Sequence, residues 1–299
     1  MAMDQIPEHY TTEFNTNWLH LSQQTTKRFD GCAMLDTIRG KEKRYNQLDQ
    51  STMRQITARN EPTVASEIDT ELRWCRPKFY EKTTLLDEWD DQLLGDVVLP
   101  TSHISQSHNM AYSRTCDQVL IDGLEGGAIT GEDGTTTTTV PSTQEVVVNL
   151  SGSSEGLTVG KMIEAKSILG KNEIYEAQNP MDALIGAVTQ AQLDDLLAIT
   201  QITSVDYNGV KALVEGKVDT FMGFLFKRSE LLTLVAATDV RTAIFYAKSG
   251  VILADGQTST KLSVRDDLSE SLQIRTKASI GSTRLEEKKI VLVYCDESP

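Results

Sequence analysis

Polar and apolar positions alternate along much of the first third of the chain, which predicts strands. Residues 33–58 show this alternation, and Gly40-Lys41 supplies a possible turn within them. A strand pair that is polar on both faces buries little of its own surface, so we expect a partner surface to hold it. Residues 70–86 return to aromatic and branched side chains and are interrupted at Pro77. The pattern therefore predicts an extended hairpin, followed by further strands.

The longest helical pattern covers residues 102–125. Apolar or small residues recur there at intervals of three and four, and no helix breaker occurs before Gly123. A helix of this length is ~36 Å long, whereas helices of globular domains average about 11–12 residues. A shorter amphipathic helix is predicted within the first 26 residues by apolar anchors at the same spacing, namely Ile6, Tyr10, Phe14, Trp18 and Leu21.

The second half of the chain alternates strand and helix patterns after a linker. Residues 123–143 are rich in Gly and Thr and predict that linker. The pattern then predicts strands near 146–148, 182–189, 216–228, 242–247 and 289–295, with helices near 158–169 and 190–199. Such alternation is typical of a mixed α/β domain.

Charge divides the chain unevenly. The whole sequence has 43 Asp and Glu against 29 Lys and Arg, a net charge of −14, which disfavours sequence-specific recognition of nucleic acid. Residues 27–82 carry 12 basic and 9 acidic side chains, a net charge of +3, and the remainder carries 17 and 34, a net charge of −17. The basic segment could contact the acidic body of a neighbouring copy, or the clustering could be chance.

Cysteine usage and the N-terminal sequence point to a protein made in a cytoplasm. The four cysteines lie far apart without metal-ligand spacing, as expected for reduced thiols. The N-terminus lacks the pattern of a signal peptide, and no apolar run approaches ~18 residues, so no membrane segment is predicted.

The sequence offers no convincing catalytic or metal site. Residues 152–156 match the G-x-S-x-G pattern around Ser154, but all four histidines precede this serine, so the general base is missing from its expected place. This motif is interpreted as a turn before a helix. His103 and His108 point about 140° apart on a helix, which predicts two exposed histidines rather than a metal pair. We therefore expect no enzyme activity, cofactor or metal.

Four stretches in order resemble the phage capsid proteins of the Hong Kong 97 fold. Ile6-Pro7 with Phe14, Leu21 and Gln23-Gln24 resembles the family's N-terminal arm. Residues 73–94 resemble its return from the extended loop, and residues 110–124 (MAYSRTCDQVLIDGL) resemble its spine helix. Residues 202–230 (ITSVDYNGVKALVEGKVDTFMGFLFKRSE) are the most specific match.

The resemblance implies an α+β capsid fold with four parts. These are an N-terminal arm (1–32), an extended β-hairpin loop (33–66), a peripheral domain with the spine helix (67–144 and 261–299) and an axial α/β domain (145–260). It also implies a major capsid protein that forms hexamers and pentamers around double-stranded DNA in an icosahedral head. The protein would assemble in the host bacterial cytoplasm, with scaffolding, cement or decoration and portal proteins as possible partners and without a membrane.

Contacts between copies are expected from the arm and from the basic hairpin. The hypothesis names Phe14, Trp18, Arg39, Lys41, Lys43, Arg44 and Arg54. Three alternatives remain open at this point: an encapsulin-like compartment shell, another structural part of the virion, and an α/β enzyme with an unrecognised site.

Overall fold

The computed structural model describes residues 20–65, 67–86, 101–174, 183–198, 220–268 and 270–298. The chain divides into two compact units. Of the described residues, the first unit comprises 20–26, 80–86, 101–114, 258–268 and 270–278, and the second comprises 27–65, 67–79, 115–174, 183–198, 220–257 and 279–298. The predicted N-terminal helix, with Phe14 and Trp18, lies outside the described residues.

A seven-stranded mixed sheet forms the centre of the second unit. Its strands follow the order β7-β16-β12-β8-β10-β9, and β11 pairs with one end of β12. The strands are β7 (Glu145–Val146), β8 (Leu184–Val188), β9 (Thr220–Phe221), β10 (Phe224–Arg228), β11 (Leu234–Val235), β12 (Val240–Ala247) and β16 (Ile290–Asp296).

Two helices pack on this sheet through their apolar faces. Helix α2 (Val159–Lys171) contributes Met162 and Leu169, and helix α3 (Gln190–Ala198) contributes Leu196 to the same core. Strand β8 is buried at all five residues, as expected for a central strand covered on both faces. The strands and helices predicted for this part of the chain are confirmed where the residues are described, although the predicted strand 146–148 is reduced to β7.

Residues 33–58 do not form the hairpin that the alternation predicted. Strand β1 (Met34–Thr37) pairs in parallel with β13 (Val251–Asp255), which pairs antiparallel with residues 280–284 of β15 (Ser271–Arg284). Strand β2 (Lys43–Leu48) instead pairs antiparallel with β3 (Thr70–Cys75). The prediction of a hairpin turn at Gly40-Lys41 is therefore wrong. The alternating pattern identified strands, but it could not identify their partners.

Strands β2 and β3 form a hairpin, hereafter the β2–β3 hairpin, and a four-stranded sheet extends from it. Strand β3 also pairs with β5 (Ala128–Thr130), which pairs with β6 (Thr136–Thr138). These two short strands lie inside the segment predicted to be a linker, so that prediction is corrected. The threonines are β-branched and favour strands, whereas glycines with positive φ at Gly131 and Gly134 form the turn between them.

The predicted long helix is confirmed as α1 (Thr101–Glu125), which has 25 residues. Its C-terminal end is fixed by Arg284, which is fully buried and donates hydrogen bonds to the carbonyl oxygens of Leu124, Gly126 and Thr138. A guanidinium at the C-terminus of a helix satisfies carbonyls that have no partner within the helix. Burial lowers the pKa of Arg284.

In the first unit, strand β14 (Ser259–Arg265) pairs with residues 271–277 of β15, and strand β4 (Lys78–Leu86) also pairs with β15. His108 on α1 is buried, and its ring nitrogens lie 2.9 Å from Thr84 Oγ1 and 3.1 Å from Thr276 Oγ1. His103 is half-buried. The prediction of two exposed helix histidines is therefore wrong. Burial lowers the pKa of His108, so the ring joins these elements in its neutral form at neutral pH.

Candidate assembly surfaces

The end of the β2–β3 hairpin opposite its loop, hereafter the root of the hairpin, is attached to the body of the second unit. Asp36 on β1 forms a salt bridge with Lys43 at 2.6 Å and accepts a hydrogen bond from Tyr45 at 2.6 Å. The hydrogen bond from Lys43 is the main reason why the pKa of Asp36 lies below its ordinary value. Lys43 and Tyr45 are at alternate positions of β2, so this face of the strand points towards β1.

Strand β3 is attached through a buried arginine. The side chain of Arg73 donates a hydrogen bond to the carbonyl oxygen of Leu285 at 2.9 Å and forms a salt bridge with Glu287 at 2.7 Å. Gln47 on β2 donates to the same carbonyl at 2.9 Å. Both strands of the hairpin are therefore held by the chain's own residues, and this part needs no neighbouring copy to keep its position.

The far end of the hairpin differs. Residues 49–65 and 67–69, hereafter the distal loop, contain no strand or helix, and a backbone hydrogen bond of 2.9 Å from Asp49 to Asp69 closes their base. Arg54 forms a salt bridge with Glu61 inside the loop. Large apolar side chains are exposed in the loop and at its base: Leu48, Met53, Ile56, Val64 and Ile68. Five such residues in one segment indicate a surface that another protein covers.

An open groove of about 1040 Å³ lies beside the attached end of the hairpin. We name this groove the root groove. Arg39, Lys41 and Arg76 line it and give it positive charge. Phe79 also lines it and has 87% of its surface exposed. Arg76 forms a salt bridge with Glu42 at 3.0 Å. Arg39 and Lys41 form no salt bridge within the described part of the chain. The groove is thus basic with an apolar aromatic side chain, which suits an acidic and apolar partner.

The predicted contact residues fall into different environments. Arg39, Lys41 and Arg44 are exposed. Lys43 and Arg54 are engaged in salt bridges within the chain, with Asp36 and Glu61. Phe79 and Arg76 were not selected from the sequence, because an exposed Phe and a buried one look alike in an alternating strand.

The G-x-S-x-G stretch at residues 152–156 forms a turn before helix α2. Gly152 adopts a φ of +104° in a turn closed by a hydrogen bond from Gly152 N–H to the carbonyl oxygen of Asn149, and helix α2 begins after the N-cap Thr158. Within the described ranges, no group of three or more His, Cys, Asp or Glu side chains could hold a metal ion. No helix in those ranges is long and apolar enough to span a membrane.

Comparison with known families decides the kind of protein. The family model described as phage capsid protein matches residues 6–297. The chain belongs to the phage capsid protein family. This capsid protein is therefore a structural component of the phage head. Among curated protein sequences, none matches it significantly.

Solved phage structures share the fold at low sequence identity. The capsid of cyanophage P-SCSP1u superposes with a TM-score of 0.73 at 15% identity, over 97% of this chain and 94% of that chain. Mycobacterium phage Che8 gives 0.69 at 14%, over 98% of each chain. The head of Helicobacter pylori bacteriophage KHP40 gives 0.73 at 9%, over 100% and 99%. The family and the fold class expected from the resemblance are confirmed.

Proposed function

We propose that this capsid protein is the major shell subunit, and that its hexamers and pentamers build an icosahedral head around double-stranded DNA. The observation that carries the proposal is the distal loop, whose five apolar side chains lie exposed in and beside a segment without regular structure. Membership of the phage capsid protein family supports it. A closed shell would cover these side chains by repeating one set of contacts in every copy.

The four parts of the capsid fold are proposed with revised bounds. We propose residues 1–32 as an N-terminal arm, 76–144 and 261–284 as a peripheral domain around α1, and 145–260 as an axial domain. Residues 285–299 were expected in the peripheral domain, but β16 pairs with β12 and lies in the sheet of β8, so we assign them to the axial domain. The extended loop was expected at 33–66. Because β1 pairs with β13 and β2 pairs with β3, we propose instead that the extended loop, which reaches a neighbour, lies between residues 43 and 75.

The acidic net charge of −14 suits a container that encloses DNA without recognising its sequence. Scaffolding, cement or decoration and portal proteins are the expected partners besides other copies, and the host cytoplasm is the expected place of assembly. The capsid protein acts through surfaces buried between copies and does not act as an enzyme.

Sedimentation of the purified protein, followed by electron cryomicroscopy of the fastest fraction, tests the proposal. We expect closed megadalton particles with fivefold and sixfold clusters of subunits. A ring or tube of fixed diameter would point to another part of the virion. A protein that stays monomeric under all conditions of salt and concentration would contradict the proposal.

The contacts between copies are expected to be non-covalent. Lys43 is held by Asp36 in the same chain, and exposed Lys41 lies beside the root of the hairpin, away from its tip. Particles boiled in denaturant with reductant should therefore release one band near 33.1 kDa. A ladder of multiples of that mass would show covalent joining of subunits.

A further inference from the structure

Strand β14 forms an open edge of the sheet in the first unit. Its inner edge pairs with residues 271–277 of β15, and within the described ranges no strand pairs with its outer edge. Residues 260–264 are exposed at every position. An open strand edge presents backbone N–H and C=O groups that another strand can bind, so proteins usually shorten, bend or charge such edges.

These protections are weak on β14. Its seven residues pair with β15 one to one, so no bulge twists the edge away, and the strand contains no proline. The outer strands β7 and β9 of the seven-stranded sheet, in contrast, have two residues each. Lys261 is the one charged residue within the exposed stretch 260–264. An edge this long and regular indicates a strand partner in the assembled protein.

One face of β14 adds an apolar surface beside the open edge. Thr260 Oγ1 lies 3.0 Å from Thr276 Oγ1, which lies 3.1 Å from a ring nitrogen of His108 on α1, so this face of the sheet points towards the helix. Leu262 and Val264 share that face, because side chains alternate along a strand. They are 61% and 57% exposed, so a strand partner at the open edge would bury surface that the subunit leaves uncovered.

The sequence of β14 fits a second copy of itself in antiparallel orientation. When Leu262 lies opposite Leu262 of the other copy, each remaining pair joins a cation or an apolar residue to a small hydroxyl residue: Lys261 with Ser263, Val264 with Thr260, and Arg265 with Ser259. A register centred one residue earlier sets Lys261 opposite itself, and one centred one residue later sets it opposite Arg265. Like charges directly opposite each other are destabilising, so the charges select the register centred on Leu262.

We infer that two capsid proteins pair their β14 strands, antiparallel and edge to edge, across a two-fold axis of the shell, with Leu262 of each copy at the centre. The inference rests on the proposed assembly into a closed shell. A two-fold contact uses the same surface in both copies, so one self-complementary strand is sufficient. The contact joins two sheets into one and covers Leu262 and Val264 of both copies.

The paired strands are too short to hold two free subunits together. Seven residues from each copy bury less than the roughly 1,200 Å² that is typical of a stable interface. We therefore expect the pairing in assembled particles, where other contacts hold the copies in place, and not in dilute subunits.

Single cysteines on β14 test the pairing. The four native cysteines are buried, so an introduced cysteine is the accessible one. Directly opposite residues of antiparallel strands have Cα atoms about 4.5–5.5 Å apart, which is within the range of a disulfide. In particles of Leu262→Cys oxidised with diamide, we expect about half of the chains or more to run as dimers on a non-reducing gel, because residue 262 faces itself. The dilute, unassembled variant should stay monomeric under the same treatment.

Lys261→Cys and Ser263→Cys are the matched controls for register. These residues lie opposite each other and not opposite themselves, so particles of either variant alone should give less than about one tenth of the dimer found with Leu262→Cys. Particles assembled from an equal mixture of the two should regain dimers that contain one chain of each variant by mass spectrometry. Self-dimers of either control at the level of Leu262→Cys would overturn the inferred pairing.

A charge at the centre of the pair tests its contribution to the shell. Leu262→Lys sets two cations opposite each other, and we expect the fraction of subunits in particles at low salt to fall by about fivefold or more, with recovery at higher salt. Val264→Lys, which faces Thr260 instead, is the control and should stay within about twofold of the wild type. Circular dichroism and gel filtration of the unassembled subunits show that both variants fold. Equal assembly of the two variants would contradict the inferred pairing.

The outcomes separate the pairing from the proposed shell. Closed Leu262→Cys particles without disulfide dimers would reject the pairing and leave the shell intact. Disulfide dimers in concentrated Leu262→Cys protein that forms no closed particle would reject the shell and retain the pairing. Density of a different virion protein along the outer edge of β14 in a native head would assign the edge to that protein and overturn the inference.

Discussion

The seven-stranded sheet of the second unit buries its side chains within one chain, whereas the distal loop of the hairpin leaves large apolar side chains exposed. In the sheet, Phe245 is fully buried and contacts Phe224 edge to face with ring centroids 4.8 Å apart. Even the charged Lys161 is buried there, and it donates hydrogen bonds to the carbonyl oxygens of Glu155 and Tyr294. In the loop, Met53 is fully exposed and Ile56 is 76% exposed.

The difference separates two properties of one chain. The sheet completes its contacts inside a single subunit, so its residues determine the free energy of unfolding of that subunit. The loop has apolar side chains that only a second molecule can bury, so its residues determine association. Substitutions in the two regions should therefore change different measurements.

The largest change in subunit stability is expected from Phe245→Ala. Loss of a fully buried ring leaves a cavity among Phe224, Phe226 and their neighbours, which should lower the free energy of unfolding by about 3–5 kcal/mol. Urea denaturation of the unassembled subunit measures this value. A loss below about 1 kcal/mol would show that the sheet is not the main source of stability.

The second largest loss of subunit stability is expected from replacement of a buried charged residue, Arg284. Arg284→Met leaves the carbonyl oxygens of Leu124, Gly126 and Thr138 without their donor, and we expect a loss of about 3 kcal/mol in the free energy of unfolding. Arg275→Met, on the same strand, is the control. Arg275 makes an exposed salt bridge with Glu81, and its loss should cost less than about 1 kcal/mol. Equal effects of the two substitutions would contradict the assigned role of Arg284.

The attachment of the hairpin should contribute a smaller amount that depends on pH. Asp36→Asn weakens the contacts with Lys43 and Tyr45, and we expect a loss of about 1 kcal/mol at pH 7. The folded-state pKa of Asp36 is below its ordinary value of 3.8, so the wild type gains this stability above that pH. The difference between wild type and variant should shrink as the pH falls through the folded-state pKa. A difference that stays constant from pH 7 to pH 2 would exclude this origin.

The smallest effect on the subunit is expected from the distal loop. Met53→Ser/Ile56→Ser should change the free energy of unfolding by no more than about 0.5 kcal/mol, because neither side chain is buried in its own chain. The same variant should lose particle yield, measured by light scattering and sedimentation. Thr52→Ala/Gln55→Ala, in the same loop, should assemble as the wild type does. Normal assembly of the serine variant would remove the loop from the shell contacts.

Local pattern predicted the central elements well. The run of apolar residues at 184–188 and the spacing along 102–125 depend on neighbours a few positions apart, and the structure confirms both elements. The partner of each strand was harder to predict. Strand β2 pairs with β3 across the distal loop, and β1 pairs with β13 more than 200 residues later in the chain. Alternation of polar and apolar residues contains no information on such distant pairing.

The candidate surfaces were predicted only in part. The positive charge of Arg39, Lys41 and Arg44 could be counted from the sequence, but the salt bridges that occupy Lys43 and Arg54 depend on the fold. The burial of His108 could not be predicted from the sequence either, because it depends on Thr84 and Thr276, which are distant in sequence. The exposure of Phe79 is likewise a property of the folded chain.

The four cysteines have a practical consequence. Cys32, Cys75, Cys116 and Cys295 are all buried, and burial raises the pKa of Cys75 to about 11 and that of Cys295 to about 12. A thiol that is both inaccessible and protonated reacts slowly with maleimides. One cysteine introduced at an exposed position of the distal loop would therefore accept a fluorophore selectively in the unassembled subunit, without replacement of any native cysteine. Because the proposed shell covers this loop, the same cysteine should lose its reactivity in the assembled head, so that labelling reports directly whether the loop is covered.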